Sequence, residues 1–331
     1  MAFLHAFKKV FAIMAAGALT LTAAACGSAS SNQTSDSSAE SGPITVVASI
    51  NQWGLLASEI GGNKVQVTSI LGSTNVDAHD FEPQTSDIAK IAKADVLVAN
   101  GAGYDEWAIK AAGKNVNRVT ASTAVGASDG DNPHLWFSKD ARKSMAQELT
   151  ETFSKARPSD KDYFAKQYQN WQEDEDELDQ RMQEFKSDHP HATYAAIESV
   201  AYYLMSDLDM TDKTPTNYAQ AAANESEPAP ADVRSFQQIL EDRTADLLIN
   251  NSQESSDMTN MITGTAQKAD VPVINVTEQV PEKQTRLTSW MNALIDEFEQ
   301  ALDQNATDQS SDTSDTSDSG SVSDNQTDSG K

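Results

Sequence analysis

Two of the five histidines in this chain lie in short segments whose residue types suit metal coordination. His79 lies within residues 77–83, Asp-Ala-His-Asp-Phe-Glu-Pro, and His134 lies within residues 132–136, Asn-Pro-His-Leu-Trp. A proline and an aromatic residue flank each histidine and restrict its loop. Neutral imidazole is a preferred ligand of borderline divalent ions. The two segments therefore predict a site for one divalent transition-metal ion.

The elements that must position these histidines follow an alternating pattern from Ile44 onward. Short, continuously apolar runs alternate with helical patterns, and the runs lie at residues 44–49, 65–71, 95–99, 116–120, 192–197, 245–250 and 271–276. Continuous apolar strands that alternate with helices are typical of parallel sheets covered on both faces. We therefore predict an α/β fold with two lobes, each built on a parallel sheet.

One long helical region separates the two sets of strands. Residues 139–156 form a helical pattern that ends before Pro158, and residues 161–186 continue without glycine or proline. At 1.5 Å per residue, the second stretch spans roughly 39 Å. The sequence predicts a rigid helix that joins the lobes and permits only limited hinge motion. The five consecutive acidic residues 173–177 predict a solvent-exposed face of this helix.

The first residues of the chain form a targeting segment. Lys8 and Lys9 precede an apolar stretch over residues 10–25, which is short for a membrane span and suited to a signal peptide. The stretch ends in small residues directly before Cys26, the only cysteine of the chain. This resembles the lipobox of bacterial lipoproteins, which implies cleavage before Cys26 and acylation of it. An ordinary cleaved signal followed by an incidental cysteine is the alternative.

The composition excludes several classes of function. A single cysteine rules out an intramolecular disulfide framework and a thiolate metal cluster. The formal charge is -26, and loss of the two lysines of the signal segment makes it about -28. Such a charge argues against nucleic acid as a partner, since phosphate contacts require a basic surface.

These patterns predict a division of the chain into six parts. We expect a signal peptide at 1–25, a lipidated flexible tether at 26–43, an N-terminal lobe at 44–157, a linking helix at 158–187, a C-terminal lobe at 188–303 and a disordered acidic tail at 304–331. The tether and the tail consist mainly of small and polar residues that offer little to bury.

The candidate site residues all follow predicted strands. Ligands of open parallel sheets bind beyond the carboxyl ends of the strands. His79 and His134 follow strands of the first lobe, and Glu198, Asn251 and Gln253 follow strands of the second. We expect these side chains to meet in a cleft between the lobes.

The segments 77–83 and 132–136 resemble the first and second metal-ligand motifs of the zinc/manganese ABC transporter solute-binding proteins. The lipobox, the long central helix and the segment 271–281, Val-Pro-Val-Ile-Asn-Val-Thr-Glu-Gln-Val-Pro, resemble the same family. The resemblance covers nearly all of residues 44–303. It implies two Rossmann-like lobes, one long backbone helix and one bound Zn²⁺ or Mn²⁺ ion that is passed to a membrane permease.

The resemblance places Glu198 at the third ligand position, where histidine is usual, and Asn251 or Gln253 at the fourth, which is often acidic. A set of two histidines, one glutamate and an amide favours Mn²⁺ over Zn²⁺ or lowers the affinity. Other interpretations stay open. Glu198 also suits the acidic start of a helix, Asn251 and Gln253 suit turns, and His189 or His191 could supply the third ligand.

The resulting functional hypothesis is a lipid-anchored, monomeric solute-binding protein on the extracytoplasmic face of the bacterial cell membrane. It captures one Zn²⁺ or Mn²⁺ ion and delivers it to an ABC permease and its ATPase, without catalysis. Two alternatives remain. The chain could be a surface adhesin or structural lipoprotein without metal, or a metallohydrolase, for which Glu82 is the nearby candidate for activating water.

Overall fold

The structure is a computed structural model that describes residues 42–315 except Asp77, His79 and Glu225, with side chains described as far as Asn305. Within these residues, eight strands form two four-stranded sheets, and every neighbouring pair of strands is parallel. The predicted α/β fold with two parallel sheets is confirmed.

The first sheet has the strand order β2-β1-β3-β4, and the second has the order β6-β5-β7-β8. The strands of the first are β1 Ile44–Ile50, β2 Val65–Leu71, β3 Val96–Ala99 and β4 Asn117–Thr120. Those of the second are β5 Thr193–Ala196, β6 Thr211–Asp212, β7 Leu247–Asn251 and β8 Val273–Val276. The central strands β1, β3, β5 and β7 are almost entirely buried, as expected for strands covered on both faces.

Helices cover both sheets and join the lobes. The N-terminal lobe contains α1 Asn51–Gly61, α2 Thr85–Ile91, α3 Glu106–Ala111 and α4 Ala121–Val125. The connection is made by α5 Lys139–Ala156 and α6 Lys161–Asp188. The C-terminal lobe contains α7 Tyr202–Asp207, α8 Thr216–Ala223, α9 Pro230–Glu241, α10 Asp257–Lys268 and α11 Leu287–Asp315. Short 3₁₀ turns occupy Gly62–Lys64, Leu135–Phe137 and Pro158–Asp160.

The predicted long helix is α6, which has 28 residues. The prediction that the acidic run 173–177 forms a solvent-exposed face of this helix was wrong for Glu175, which is fully buried. The guanidinium of Arg142 on α5, also fully buried, pairs with the Glu175 carboxylate at 2.7 Å. Arg142 also donates to the carbonyls of Trp136 and Phe137, which lie two and three residues after His134. The buried pair therefore connects α5, α6 and the loop that carries His134.

One continuous hydrophobic core extends through both lobes. It includes Trp53 of α1, Phe185 of α6, Met205 of α7 and Phe298 of α11. Arg181 of α6 forms ion pairs with two acidic residues of α11. Shared packing of this kind supports the predicted restriction of motion between the lobes.

Several elements differ from the sequence predictions. Helix α7 begins at Tyr202 rather than Glu198, and α8 and β6 were not predicted. Helix α11 runs to Asp315, into the predicted acidic tail, and no glycine or proline interrupts it. The predicted signal peptide, Cys26, almost all of the tether and the last sixteen residues lie outside the described residues. In the part of the chain that the structure describes, no helix is both long enough and apolar enough to cross a membrane.

Candidate metal centre

A cavity of about 460 Å³ lies between the lobes at the carboxyl ends of the two sheets. Tyr104, Asn132 and His134 of the N-terminal lobe line it together with Glu198 and Ser199 of the C-terminal lobe. The cavity thus occupies the position where ligands of parallel α/β sheets bind. None of the described residues that line it is a lysine or an arginine.

His134 is held in one orientation within this cavity. Its side chain is almost fully buried, and Asn132 Oδ1 lies 2.9 Å from both its backbone nitrogen and its ring Nδ1. Because the amide oxygen only accepts hydrogen bonds, Nδ1 carries a proton, and in the neutral ring Nε2 presents the lone pair. The ring also packs edge-on against Trp136, with centroids 5.4 Å apart. The loop therefore fixes both the tautomer and the direction of Nε2.

Two carboxylates face Nε2 of His134. Oε1 of Glu198 lies 3.6 Å from it and Oε2 of Glu278 lies 3.8 Å from it. One ligand atom from each of the three residues can be chosen so that all lie within 4.8 Å of one another. Glu278 is fully buried and Glu198 is partly buried. Two acidic groups and an imidazole lone pair in so small a volume form a donor set that suits a divalent cation.

Glu278 forms hydrogen bonds with residues of both lobes. The hydroxyl of Tyr104 donates to its Oε2 at 2.5 Å, and Gln52 donates to its backbone carbonyl at 2.6 Å. Its own backbone N–H donates to Oε1 of Gln253 at 2.6 Å. Burial, and next the nearby Glu278 charge, raise the pKa of Tyr104 well above its usual value, so this phenol acts as a donor.

Asn251 and Gln253, both predicted as ligands, lie beside this cluster. Nδ2 of Asn251 donates to Oε2 of Glu198 at 2.7 Å and to Oε1 of Glu278 at 3.1 Å. Nε2 of Gln253 donates to the carbonyl of Val76 at 2.7 Å and to the side chain of Gln279. Both amides therefore hold neighbouring groups in place, and their direct coordination of a metal stays a prediction.

Sequence reasoning did not single out Glu278 as a ligand. It lies two residues beyond β8 and within the segment 271–281 that carries part of the family resemblance. Its position after a parallel strand is the same signal that selected Glu198 and Asn251. Applied to β8, that signal selects Thr277, Glu278 and Gln279 without distinguishing among them.

The other candidate histidines have different outcomes. His79 lies outside the described residues, although Ala78 and Phe81 on either side of it line the cavity. His189 and His191 precede β5, whereas Glu198 follows it, so they lie at the opposite end of that strand. Glu198 lies four residues before α7, so it is not the acidic start of that helix.

The sequence matches the family described as "ZnuA: Zinc-uptake complex component A periplasmic" over residues 46–301. The chain belongs to this family. The family membership predicted from residues 77–83, 132–136 and 271–281 is thereby confirmed.

Individual relatives carry related names. The chain is 29% identical over 171 residues to the "Manganese-binding lipoprotein MntA" of Bacillus subtilis, a match that covers 48% of this chain and 54% of that protein. It is 23% identical over 299 residues to the "High-affinity zinc uptake system protein ZnuA" of the same organism, covering 79% of this chain and 91% of that protein. The chain spans only about three fifths of the length of several other curated relatives, including the "Manganese ABC transporter substrate-binding lipoprotein PsaA" of Streptococcus pneumoniae, at 61%.

Solved structures share the fold. The structure of the solute-binding protein FpvC from Pseudomonas aeruginosa in complex with Mn²⁺ superposes with a TM-score of 0.65 at 16% identity, covering 79% of this chain and 99% of that one. A crystal structure of ZnuA gives the same TM-score at 16% identity, covering 78% of this chain and 99% of that one. At this identity the likeness establishes the two-lobed architecture.

Proposed function

We propose that this chain is an extracytoplasmic solute-binding protein that captures one divalent transition-metal ion, Zn²⁺ or Mn²⁺, between its two lobes. The supporting observation is the convergence of the imidazole of His134 with the carboxylates of Glu198 and Glu278 in one largely buried space. The names of the zinc and manganese relatives support the same class of cargo.

The proposed ligands are His134, Glu198 and Glu278, with His79 as the fourth by family resemblance. The imidazole contributes a neutral lone pair, and the two carboxylates offset the charge of the ion. Burial strengthens these electrostatic interactions and also makes the unscreened repulsion between two carboxylates costly without a cation. Binding therefore requires no catalytic group, and the chain acts as a receptor rather than as an enzyme.

Delivery to an ABC permease and its ATPase follows from the family and from relatives named as ABC transporter substrate-binding lipoproteins. We propose that acylated Cys26 anchors a monomeric chain to the outer face of the cytoplasmic membrane. Mass spectrometry of the membrane-extracted chain tests the anchor, since acylation adds a diacylglyceryl mass to a chain that begins at Cys26.

The central experiment compares metal stoichiometry in the wild-type chain with that in two single variants. Equilibrium dialysis with elemental analysis should give one tightly bound ion per wild-type chain. His134→Ala and Glu278→Ala should each lose tight binding, because each removes a donor from the cluster. Glu282→Ala is the matched control, because this exposed glutamate lies only four residues beyond Glu278.

Three outcomes would contradict the proposal. A wild-type chain without a stoichiometric ion would favour the adhesin or structural alternative, and turnover of an ester or peptide would favour a hydrolase. Unchanged stoichiometry in both His134→Ala and Glu278→Ala would show that the ion binds elsewhere.

A further inference from the structure

Asn251 lies at the end of β7, almost fully buried, and its side-chain amide lies between two carboxylates. An amide NH₂ group has two hydrogens to donate. Here Nδ2 donates to Oε2 of Glu198 at 2.7 Å and to Oε1 of Glu278 at 3.1 Å. One side chain therefore engages one oxygen of each of the two acidic residues.

The other oxygen of each carboxylate is the one that faces the histidine. Oε1 of Glu198 and Oε2 of Glu278 lie 3.6 Å and 3.8 Å from Nε2 of His134. The orientation of Asn251 is itself fixed, because its Oδ1 accepts a hydrogen bond from the backbone N–H of Gln253 at 3.0 Å. A flipped amide would place an oxygen against both carboxylates and a donor against that N–H.

We propose that Asn251 biases the ion preference of the centre toward Zn²⁺ relative to Mn²⁺, by restricting each carboxylate to one coordinating oxygen. The inference rests on the proposed function. Zn²⁺ in proteins is usually four-coordinate, whereas Mn²⁺ favours six ligands and oxygen-rich sites. A carboxylate that coordinates through both oxygens raises the ligand count without any additional residue. Asn251 opposes this arrangement at Glu198 and at Glu278 together.

The loss of Asn251 would also leave Oε1 of Glu278 without this donor inside a fully buried side chain. Loss of a hydrogen bond to a buried carboxylate is costly, and rotation of the carboxylate toward the bound ion would offset that cost. The substitution should therefore weaken Zn²⁺ binding while it preserves or strengthens Mn²⁺ binding. Asn251 acts in this scheme as a positioning residue and not as a ligand.

The test measures both dissociation constants, by competition with a chelator, for the wild type, Asn251→Leu and Asn251→Ala. Leucine fills most of the space of the amide, whereas alanine leaves it open. An effect that both variants show therefore comes from the lost hydrogen bonds rather than from a change in packing. We expect the ratio of the Mn²⁺ constant to the Zn²⁺ constant to fall at least about tenfold, which corresponds to about 1.4 kcal/mol. X-ray absorption of the bound Zn²⁺ should show more oxygen neighbours in the variants.

Asn250→Leu is the matched control. This neighbouring asparagine is half-buried, and its Nδ2 donates to Oδ1 of Asn275 at 2.8 Å rather than to either glutamate. Its substitution should leave the ratio unchanged. Thermal unfolding without metal verifies that each variant used is folded.

An unchanged ratio in the folded Asn251 variants would overturn this inference and leave the proposed function intact. Equal weakening of both ions would also overturn it, because that is the result expected if Asn251 were a ligand or a purely structural residue. A wild-type chain that binds neither ion would overturn the proposed function and this inference together.

Discussion

The hydroxyl of Tyr104 donates to the oxygen of Glu278 that faces His134, and Nε2 of Gln279 in turn donates to that hydroxyl at 3.2 Å. Burial keeps the phenol protonated by raising its pKa. The hydroxyl therefore fixes the direction of a proposed ligand from the opposite lobe. Substitution of a group that orients a metal ligand in this way commonly lowers the metal affinity about tenfold to hundredfold.

Tyr104→Phe should weaken metal binding about tenfold, because Glu278 loses the donor that aims its Oε2 at the centre. The measurement is the Zn²⁺ dissociation constant by chelator competition. Tyr202→Phe serves as the control, since Tyr202 is 44% exposed and lies outside the cavity lining. Equal affinities for Tyr104→Phe and the wild type would mean that the hydroxyl has no role in orienting Glu278.

The residues of the site were only partly predictable from sequence. His134 was recognisable because proline and tryptophan fix its loop locally. The position of Glu278 depends on partners far away in sequence, since Tyr104 and Gln52 lie 174 and 226 residues before it. Local patterns do not reveal which polar residue after a strand will receive such partners. For the same reason, Asn251 was identified as a candidate ligand while its hydrogen bonds to two glutamates were not foreseen.

At the scale of elements, α1 presents an acidic residue to the junction of α6 and α11. Glu59 is largely buried, and its Oε1 has no hydrogen-bond partner among the described residues. Burial raises its pKa to about 7, and the charges of Asp174 and Glu175 add to the shift, whereas Arg286 and the backbone of Leu287 oppose it. The folded chain therefore binds a proton here that the unfolded chain has already lost above about pH 4.5.

Glu59→Gln should increase stability at pH 8 by about 1–3 kcal/mol, because a neutral side chain avoids the cost of a buried charge. In the wild type, ionisation of Glu59 should lower the free energy of unfolding as the pH rises from about 4.5 to about 7. The variant has no group that ionises here, so this part of the pH dependence should be absent from it. Urea unfolding at several pH values measures both effects. Glu184→Gln, at an exposed position of α6, is the control, and an identical pH profile for Glu59→Gln and the wild type would contradict the prediction.

Most elements were predictable because their signals are local. Continuous apolar runs located the central strands, and the absence of glycine and proline located α6. The buried state of Glu175 was not predictable, because its partner Arg142 lies 33 residues earlier on another helix. Strand β6 has only two residues, both exposed, so it carries no apolar pattern that sequence reasoning could detect.

At the scale of the whole molecule, polar contacts tie the lobes together around the centre. Asn132 in the His134 loop donates to the carbonyl of Ser199 at 2.8 Å, and Tyr203 donates back to the carbonyl of Asn132 at 2.9 Å. On the other side, Gln253 reaches the carbonyl of Val76. Together with the shared hydrophobic core, these contacts favour small local rearrangements over wide closure of the lobes.

Of the contacts between the lobes, the hydrogen bonds of Asn51 should have the most direct effect on release of the proposed metal ion. From the start of α1, it donates to the carbonyl of Val280 at 2.9 Å and accepts from the N–H of Val280 at 3.1 Å. Val280 lies two residues after Glu278, so this pair of hydrogen bonds anchors the segment that carries a proposed ligand to the opposite lobe. Movement of Glu278 away from His134 should require this anchor to strain or break.

Asn51→Ala should therefore accelerate metal release about tenfold, with a smaller effect on capture, because barriers to dissociation usually depend on contacts broken on leaving. Stopped-flow transfer of the bound ion to a fluorescent chelator measures the rate. Asn63→Ala, at an exposed position just after α1, should release the ion at the wild-type rate. A lower melting temperature of Asn51→Ala with an unchanged release rate would show that the contact stabilises the fold without restraining Glu278.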